Sequence, residues 1–379
     1  MQIDIFSFFS GAGFLDLGFE NAGFNIVFVN EKDSAFLEVY KFSRSKMKMK
    51  SPEYGYYCDD INKLQYGNTK EQFTQKIISN KSKSLVGFIG GPPCPDFSVA
   101  GKNQGIKGSN GKLTNSYKRV ILTQNPDFFV FENVKGLWST QKHRTEYEKI
   151  KTSFRNKGYV LVDKLVNAIE YGVPQDRERI ILFGIKYDLL SQNKKEAQNI
   201  LLNNFKWGNR YQINEIRNCN WPTMNDFIEN GFIPKPKDII EQITVQYWFE
   251  KNDVEHHYNA SDFFMPRARK RFITIKEGDV SRKSFKRLHR WRYSPTAAYG
   301  NNEVHLHPYK ARRLSVAEAL AIQSLPKEFE IPKTLTKSQM FKTIGNGVPY
   351  LLSFVIAKNI KEFIEGNVKR HDKEEDNVI

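Results

Sequence analysis

Cys94 stands in Gly90-Gly91-Pro92-Pro93-Cys94-Pro95-Asp96-Phe97-Ser98, directly after the apolar run Leu85-Val86-Gly87-Phe88-Ile89. Such a run reads as a buried strand. The Gly-Gly-Pro-Pro corner ends it, because proline lacks the N–H and glycine favours a turn. The thiol is thereby held on a stiff corner at a strand's carboxyl end, where open α/β sheets keep their ligand sites. Two readings stand: a nucleophilic thiolate, or a small buried cysteine in a tight turn. A second reactive group ends another apolar run, Pro126-Asp127-Phe128-Phe129-Val130-Phe131, followed by Glu132-Asn133-Val134. A carboxylate directly after four apolar residues is partly desolvated, which raises its pKa toward general-acid use. A third group is Gln175-Asp176-Arg177-Glu178-Arg179, leading into the strand-like Ile180–Ile185. Its two arginines are expected to face opposite sides, one meeting substrate and the other ion-paired within the protein. Two structural salt bridges are the plainer alternative.

These groups need a scaffold, and the N-terminal half supplies its signals. Ile3–Phe9 reads as a first strand, then Ser10-Gly11-Ala12-Gly13, then a helix with apolar Leu15, Leu17 and Phe19. Strand, glycine turn and helix let a nucleotide-like ligand approach backbone N–H groups. Asn25–Val29 reads as a second strand ending at Asn30-Glu31-Lys32-Asp33, with Glu31 twenty residues after Gly11. An acid there suits ribose hydroxyls, and an Asp or Glu capping the helix Ala35–Phe42 fits the same residues. A third short strand near Tyr56-Tyr57-Cys58 leads to Asp59-Asp60-Ile61, either a further ligand carboxylate or a plain turn. Gly101–Gly111 holds four glycines and two lysines in eleven residues. It reads as a lid that orders on substrate, or as an ordinary long surface loop.

Composition narrows the class of partner. The 379 residues carry 58 Lys and Arg against 42 Asp and Glu, a formal charge of +16. That excess favours a polyanion such as nucleic acid, with a merely Lys-rich surface as the bland alternative. Three cysteines without CxxC spacing indicate a reducing cytoplasm, no disulfide framework and no zinc site. No run of eighteen apolar residues exists, and the N-terminus has no signal-peptide pattern, so no membrane association is expected. Strand-helix alternation fades after about Tyr187. Between Ser261 and Arg313 there are 14 Lys/Arg against 4 Asp/Glu, interleaved with aromatic residues, a mixture suited to phosphate and base contact. This stretch reads as a second domain. Ser315 and Glu318 form a capping-box pattern at the start of a helix, and Gly345-Asn346-Gly347-Val348-Pro349 turns into a last amphipathic helix.

In order along the chain, Phe9-Ser10-Gly11-Ala12-Gly13, Gly91-Pro92-Pro93-Cys94, Glu132-Asn133-Val134, Gln175 to Arg179, Arg313-Leu314-Ser315 with Glu318 and Gln323, and Gly345-Asn346-Gly347-Val348 resemble the DNA cytosine-5 methyltransferase family. The resemblance implies an α/β class I S-adenosylmethionine-dependent methyltransferase fold, a Rossmann-like mixed seven-stranded sheet with a smaller target-recognition domain. The catalytic domain is expected over 1–187 and 338–379, and the recognition domain and hinge over 188–337.

By the same resemblance, Cys94 attacks C6 of a flipped-out cytosine, Glu132 contacts N3 and the amino group, and Arg179 contacts O2 with Arg177 assisting. Phe9, Gly11, Ala12, Gly13, Glu31, Asp60, Ile61, Pro92, Leu113 and Asn346 are implied in cofactor binding. Ser98 and Lys102, with the Gly101–Gly111 lid, close on DNA. Thr296-Ala297 falls at the family's Thr-aliphatic pair, and Arg267, Arg269, Arg290 and Arg292 are candidate base readers. The implied partners are double-stranded DNA and a cognate restriction endonuclease. A monomer acting in the bacterial cytoplasm on the nucleoid is expected, with no metal. Pro95, Ser7, Phe14 and Lys32 depart from the family's usual Gln, Asp, Gly and aromatic residue. A tRNA-directed member and a catalytically decayed DNA-binding protein are the alternatives; the former's Cys-Phe-Thr segment does not occur here.

Overall fold

The computed structural model describes residues 1–93, 111–266, 269–297, 299 and 304–368. Seven strands form one sheet: β1 (Ile3–Phe8), β2 (Asn25–Asn30), β3 (Tyr56–Tyr57), β4 (Leu85–Gly90), β5 (Phe128–Val134), β6 (Tyr159–Asn167) and β7 (Glu178–Lys186). Their order is β3-β2-β1-β4-β5-β7-β6. β1 pairs parallel with both β2 and β4, β4 parallel with β5, and β7 antiparallel with β5 and β6. Only β7 therefore runs against the rest, which is the mixed seven-stranded sheet expected from the sequence. Chain order reverses between β1 and β4, and a ligand crevice opens at that switch point, beyond the strands' carboxyl ends. Phe8 is the register partner of Gly90. The glycine turn after β1 and the Gly-Gly-Pro-Pro corner after β4 therefore leave the sheet side by side.

The strands read as apolar runs because both faces are covered. One face buries Phe6, Phe8, Phe28, Phe73 and Phe88, with the Phe8 and Phe88 rings 5.0 Å apart. The other buries Ile5, Phe19, Phe128 and Phe183 under the terminal helix Tyr350–Asn367, whose Leu352, Ile356, Ile360 and Phe363 share that cluster. The terminal helix returns to the helix Phe14–Asn21, beside the first strand, as expected. Helix 337–367 is long and apolar enough to cross a membrane by composition alone. It is two helices broken at Gly347-Val348-Pro349, and most of their apolar residues are core. Contact between the first and last helices is backbone-close: a Cβ at Gly18 would lie 2.6 Å from the Phe354 N. Gly18→Ala is expected to destabilise the chain by about 1–3 kcal/mol, the usual cost of overpacking, read by urea unfolding.

Packing on the sheet continues past residue 188. Helix Lys194–Asn204 covers the edge strand β6, and Gln198 donates to the Leu161 carbonyl at 3.0 Å while accepting from its N–H at 3.1 Å. Ala197, Leu201 and Phe205 join the same cluster as Phe183 and Phe363. The helix blocks an otherwise open strand edge, so residues beyond the boundary expected at 188 pack with the sheet.

Beyond it, regular structure is sparse: short helices at Ile213–Asn218, Val245–Lys251, Arg269–Thr274 and Val316–Ile322, and a two-residue parallel pairing of Lys286–Arg287 with His305–Leu306. Backbone carbonyls without ladder partners still need donors, and buried arginines supply them. Arg287 donates to the carbonyls of Phe272, Ile275, His307 and Lys310. Part of the basic density in this region is therefore internal scaffolding.

Candidate active site

The antiparallel register of β5 on β7 places Glu132 opposite Ile181 and Val134 opposite Arg179. Residues two apart on a strand share a face, so Arg179 is the diagonal neighbour of Glu132. Their side chains meet, Arg179 Nε to Glu132 Oε1, at 2.9 Å. Glu132 is buried, and desolvation pushes its pKa up although Arg179 and Arg177 pull it down. Its other oxygen lies against Gly91: a Cβ there would approach Oε2 to 2.5 Å. Only glycine leaves room for the carboxylate beside the corner that carries Cys94. Cys94 itself, with Ser98, Lys102 and residues 101–110, lies outside the described residues, as does Arg267; for Arg269 only the backbone is described.

The two arginines do not face opposite sides, and their roles differ for another reason: Arg177 precedes β7. Its guanidinium is fully buried and donates to the carbonyls of Ala297 (3.2 Å), Gly345 (2.9 Å) and Gly347 (3.1 Å), with a longer contact to Gln175 Oε1. Its Nη donors are taken by the protein, while its Nε has no partner among the described residues; this speaks against the expected contact with the cytosine. Arg290 is corrected in the same way. It pairs with Glu277 through Nε (2.9 Å) and Nη2 (2.8 Å), donates to the Gly231 carbonyl and stacks on Tyr309, so no donor fork faces outward for bases. Arg292 is half-buried over the Tyr293 ring. Thr296 donates its hydroxyl to the Asp176 carbonyl at 2.7 Å.

The crevice suits an adenosyl cofactor. Gly11 has a φ of +56° and a Cβ there would meet nothing within 4 Å, so the turn after β1 is open. Glu31 accepts the Gly11 N–H at 2.9 Å and the Asp33 N–H at 2.8 Å. Each carboxylate oxygen keeps acceptor capacity for a hydroxyl donor such as ribose. Burial raises the Glu31 pKa, and those N–H groups oppose it. Ser10 Oγ is buried with no partner among the described residues. Phe9 holds a left-handed φ of +50°, a costly conformation for a phenylalanine of the kind that marks ligand sites. Asp60 caps the turn Ile61–Gln65 and also meets Lys32 Nζ at 3.0 Å, which fits the turn reading. The side chains of Ile61 and Ala12 are buried in apolar clusters. Pro92 is buried, Leu113 half-buried, and Asn346 exposed at the end of helix Lys337–Asn346, beside the turn.

One group under this turn escaped the sequence reading. Ser7 donates to Asp16 Oδ1 at 2.8 Å, so a carboxylate from the next helix stands beside position 7 of β1. Arg44 donates to the Gly13 carbonyl at 2.7 Å and to Glu20 at 2.8 Å. Burial pushes the Asp16 pKa up to about 7, against the pull of Arg44. A raised folded-state pKa contributes stability at acid pH that is lost as pH rises through it. The Asp16 contribution to thermal stability is expected to fall from pH 4 to pH 8, and Asp16→Asn should remove that contribution, read as the difference in melting temperature between variant and wild type against pH. An apolar run with one acid inside it was the available signal.

A parallel sheet with a single reversed strand, a glycine turn and an acid-tipped second strand defines the class I S-adenosylmethionine-dependent methyltransferases. The chain belongs to the C-5 cytosine-specific DNA methylase family, whose profile matches residues 3–362. It is 54% identical to the Type II methyltransferase M.NmeDI of Neisseria meningitidis serogroup C over 97% of this chain and 85% of that one. It is 31% identical to the Type II methyltransferase M.MthTI of Methanothermobacter thermautotrophicus over 97% and 99%. In structure it resembles a prophage-encoded DNA modification methyltransferase of Escherichia coli, with a TM-score of 0.66 at 20% identity, covering 96% of this chain and all of that one. It is thus a DNA cytosine-5 methyltransferase that uses S-adenosylmethionine, and the tRNA-directed and decayed-site alternatives are not favoured.

Proposed function

We propose that this chain is the modification enzyme of a Type II restriction-modification system, methylating one cytosine of a defined duplex sequence through Cys94. The observation that carries the catalytic part is Glu132, buried, held by Arg179 and pressed against Gly91 beside the Cys94 corner. The target base must leave the stack, because C5 and C6 are shielded within it. The Cys94 thiolate bonds to C6, and Glu132 places a proton at N3, so no negative charge accumulates on the ring. S-adenosylmethionine supplies the electrophilic methyl group for C5. Loss of the C5 proton to solvent then expels the thiolate, and N3 returns its proton to Glu132, which restores the neutral aromatic ring and the resting enzyme. Arg179 keeps the Glu132 carboxylate aimed and offers its guanidinium to O2.

Phe9, Glu31, Asp60, Leu113 and Asn346 hold the cofactor, with the turn Gly11–Gly13. Residues from about 208 to 312 read the target, and Arg267, Arg269, Arg292 and Thr296 are the base-side candidates left after Arg290. Ser98 and Lys102 contact DNA from the opposite side. The enzyme acts as a monomer in the cytoplasm, on nucleoid DNA, alongside a cognate endonuclease. Bisulfite sequencing of DNA from a methylation-free bacterial host expressing the chain tests this: protected cytosines should recur at one position of one sequence. Complete conversion would refute the reading.

A further inference from the structure

Four separate stretches converge on one buried point. Gln175 accepts the Ala297 N–H at 2.9 Å and donates to Gln323 Oε1 at 3.2 Å, and Gln323 donates to the Ile344 carbonyl at 2.6 Å. Arg177 sits among them, donating to Ala297 on the recognition side and to Gly345 and Gly347 on either side of Asn346. The recognition segment is fixed at a second place, since the Asp176 N–H donates to the Ser294 carbonyl at 2.8 Å and Thr296 to the Asp176 carbonyl. On the far side, a Cβ at Gly347 would collide with the Phe14 ring, so that ring bears directly on the Asn346 turn. Phe14 opens the helix that follows the cofactor's glycine turn, and it also packs edge-on against Phe329 at 5.1 Å.

A contiguous path of two rigid joints thus runs from the glycine turn through Phe14 and Gly347 to Arg177, and from Arg177 to Thr296-Ala297. Neither joint has slack: one is ring against backbone, the other a planar guanidinium spread over three carbonyls. We propose that Arg177 is a positioning residue that couples cofactor binding to engagement of the DNA target, with Phe14 against Gly347 as the second joint. The inference rests on the reading above, that the glycine turn holds the cofactor and the Thr296 segment meets DNA. Coupling between two ligands is reciprocal, with typical factors of 5–150-fold, so target DNA should tighten cofactor-site affinity by the factor that cofactor tightens DNA.

The probe is S-adenosylhomocysteine, which occupies the cofactor site without turnover. Its affinity for the full chain is measured by calorimetry, alone and with a duplex carrying the methylated sequence found by bisulfite mapping. The wild type is expected to bind it at least about fivefold more tightly with that duplex present. Arg177→Lys, which keeps the charge but loses the planar fork, should reduce the factor to less than about twofold. Phe14→Leu leaves every Arg177 hydrogen bond in place and should also lower it, so it carries the test if Arg177→Lys does not fold. A wild type without tightening, or a folded variant that retains the full factor, overturns the proposal. Failure of the underlying reading looks different: the wild type would not methylate the duplex at all.

Discussion

Cys94→Ser is expected to lower methyl transfer by at least about 10⁴-fold, the scale on which enzymes lose activity when a covalent nucleophile is removed. A serine hydroxyl in the same place is almost wholly protonated at neutral pH and is a far weaker nucleophile than a thiolate. The substitution exchanges one small side chain for another at the end of a corner fixed by Gly91, Pro92 and Pro93, so thermal unfolding and S-adenosylhomocysteine affinity should remain in place. Labelled methyl incorporation into plasmid DNA reads the loss. Residual turnover within tenfold of wild type would remove Cys94 from the mechanism.

Glu132→Gln should cost about 10²–10⁴-fold in kcat, the range of a positioned general acid. Glutamine keeps an oxygen for Arg179 Nε, so geometry is preserved while the transferable proton is lost. Burial raises the Glu132 pKa even with Arg179 at 2.9 Å. The protonated form therefore persists to higher pH than for an exposed glutamate and declines as pH rises through the raised value. The wild type should show an alkaline fall in kcat from this group. In Glu132→Gln the alkaline fall disappears. An unaltered alkaline limb in the variant would assign it to another group.

Much of this was legible in the sequence because it is local. β1, β2, β4 and β5 are apolar runs, and each delivers a candidate functional residue where the run stops. The Ser315–Glu318 capping box formed as read, with Ser315 N–H to Glu318 Oε2 at 2.7 Å. The long-range pairings were not legible. A β-register joins Glu132 to Arg179, but nothing within Gln175 to Arg179 shows that Arg177 spends its donors on Gly345 and Gly347, about 170 residues away. Arg287 and Arg290 misled for a related reason: a basic, aromatic-rich stretch looks like a phosphate surface, while an irregular backbone consumes arginines internally. Ser7 reads as a lost carboxylate in sequence, where its contact with Asp16 does not show.

The central claim is that catalysis passes through a covalent bond between Cys94 and C6 of the target cytosine. A duplex bearing 5-fluorocytosine at the target position tests it directly, because fluorine cannot leave C5 as the proton does and the adduct cannot resolve. The account predicts a denaturation-stable protein–DNA species in the presence of S-adenosylmethionine, mapped by peptide mass to Cys94 and absent from Cys94→Ser. Methylation of the ordinary duplex with no trapped species on the fluorinated one, or trapping at another residue, would contradict it.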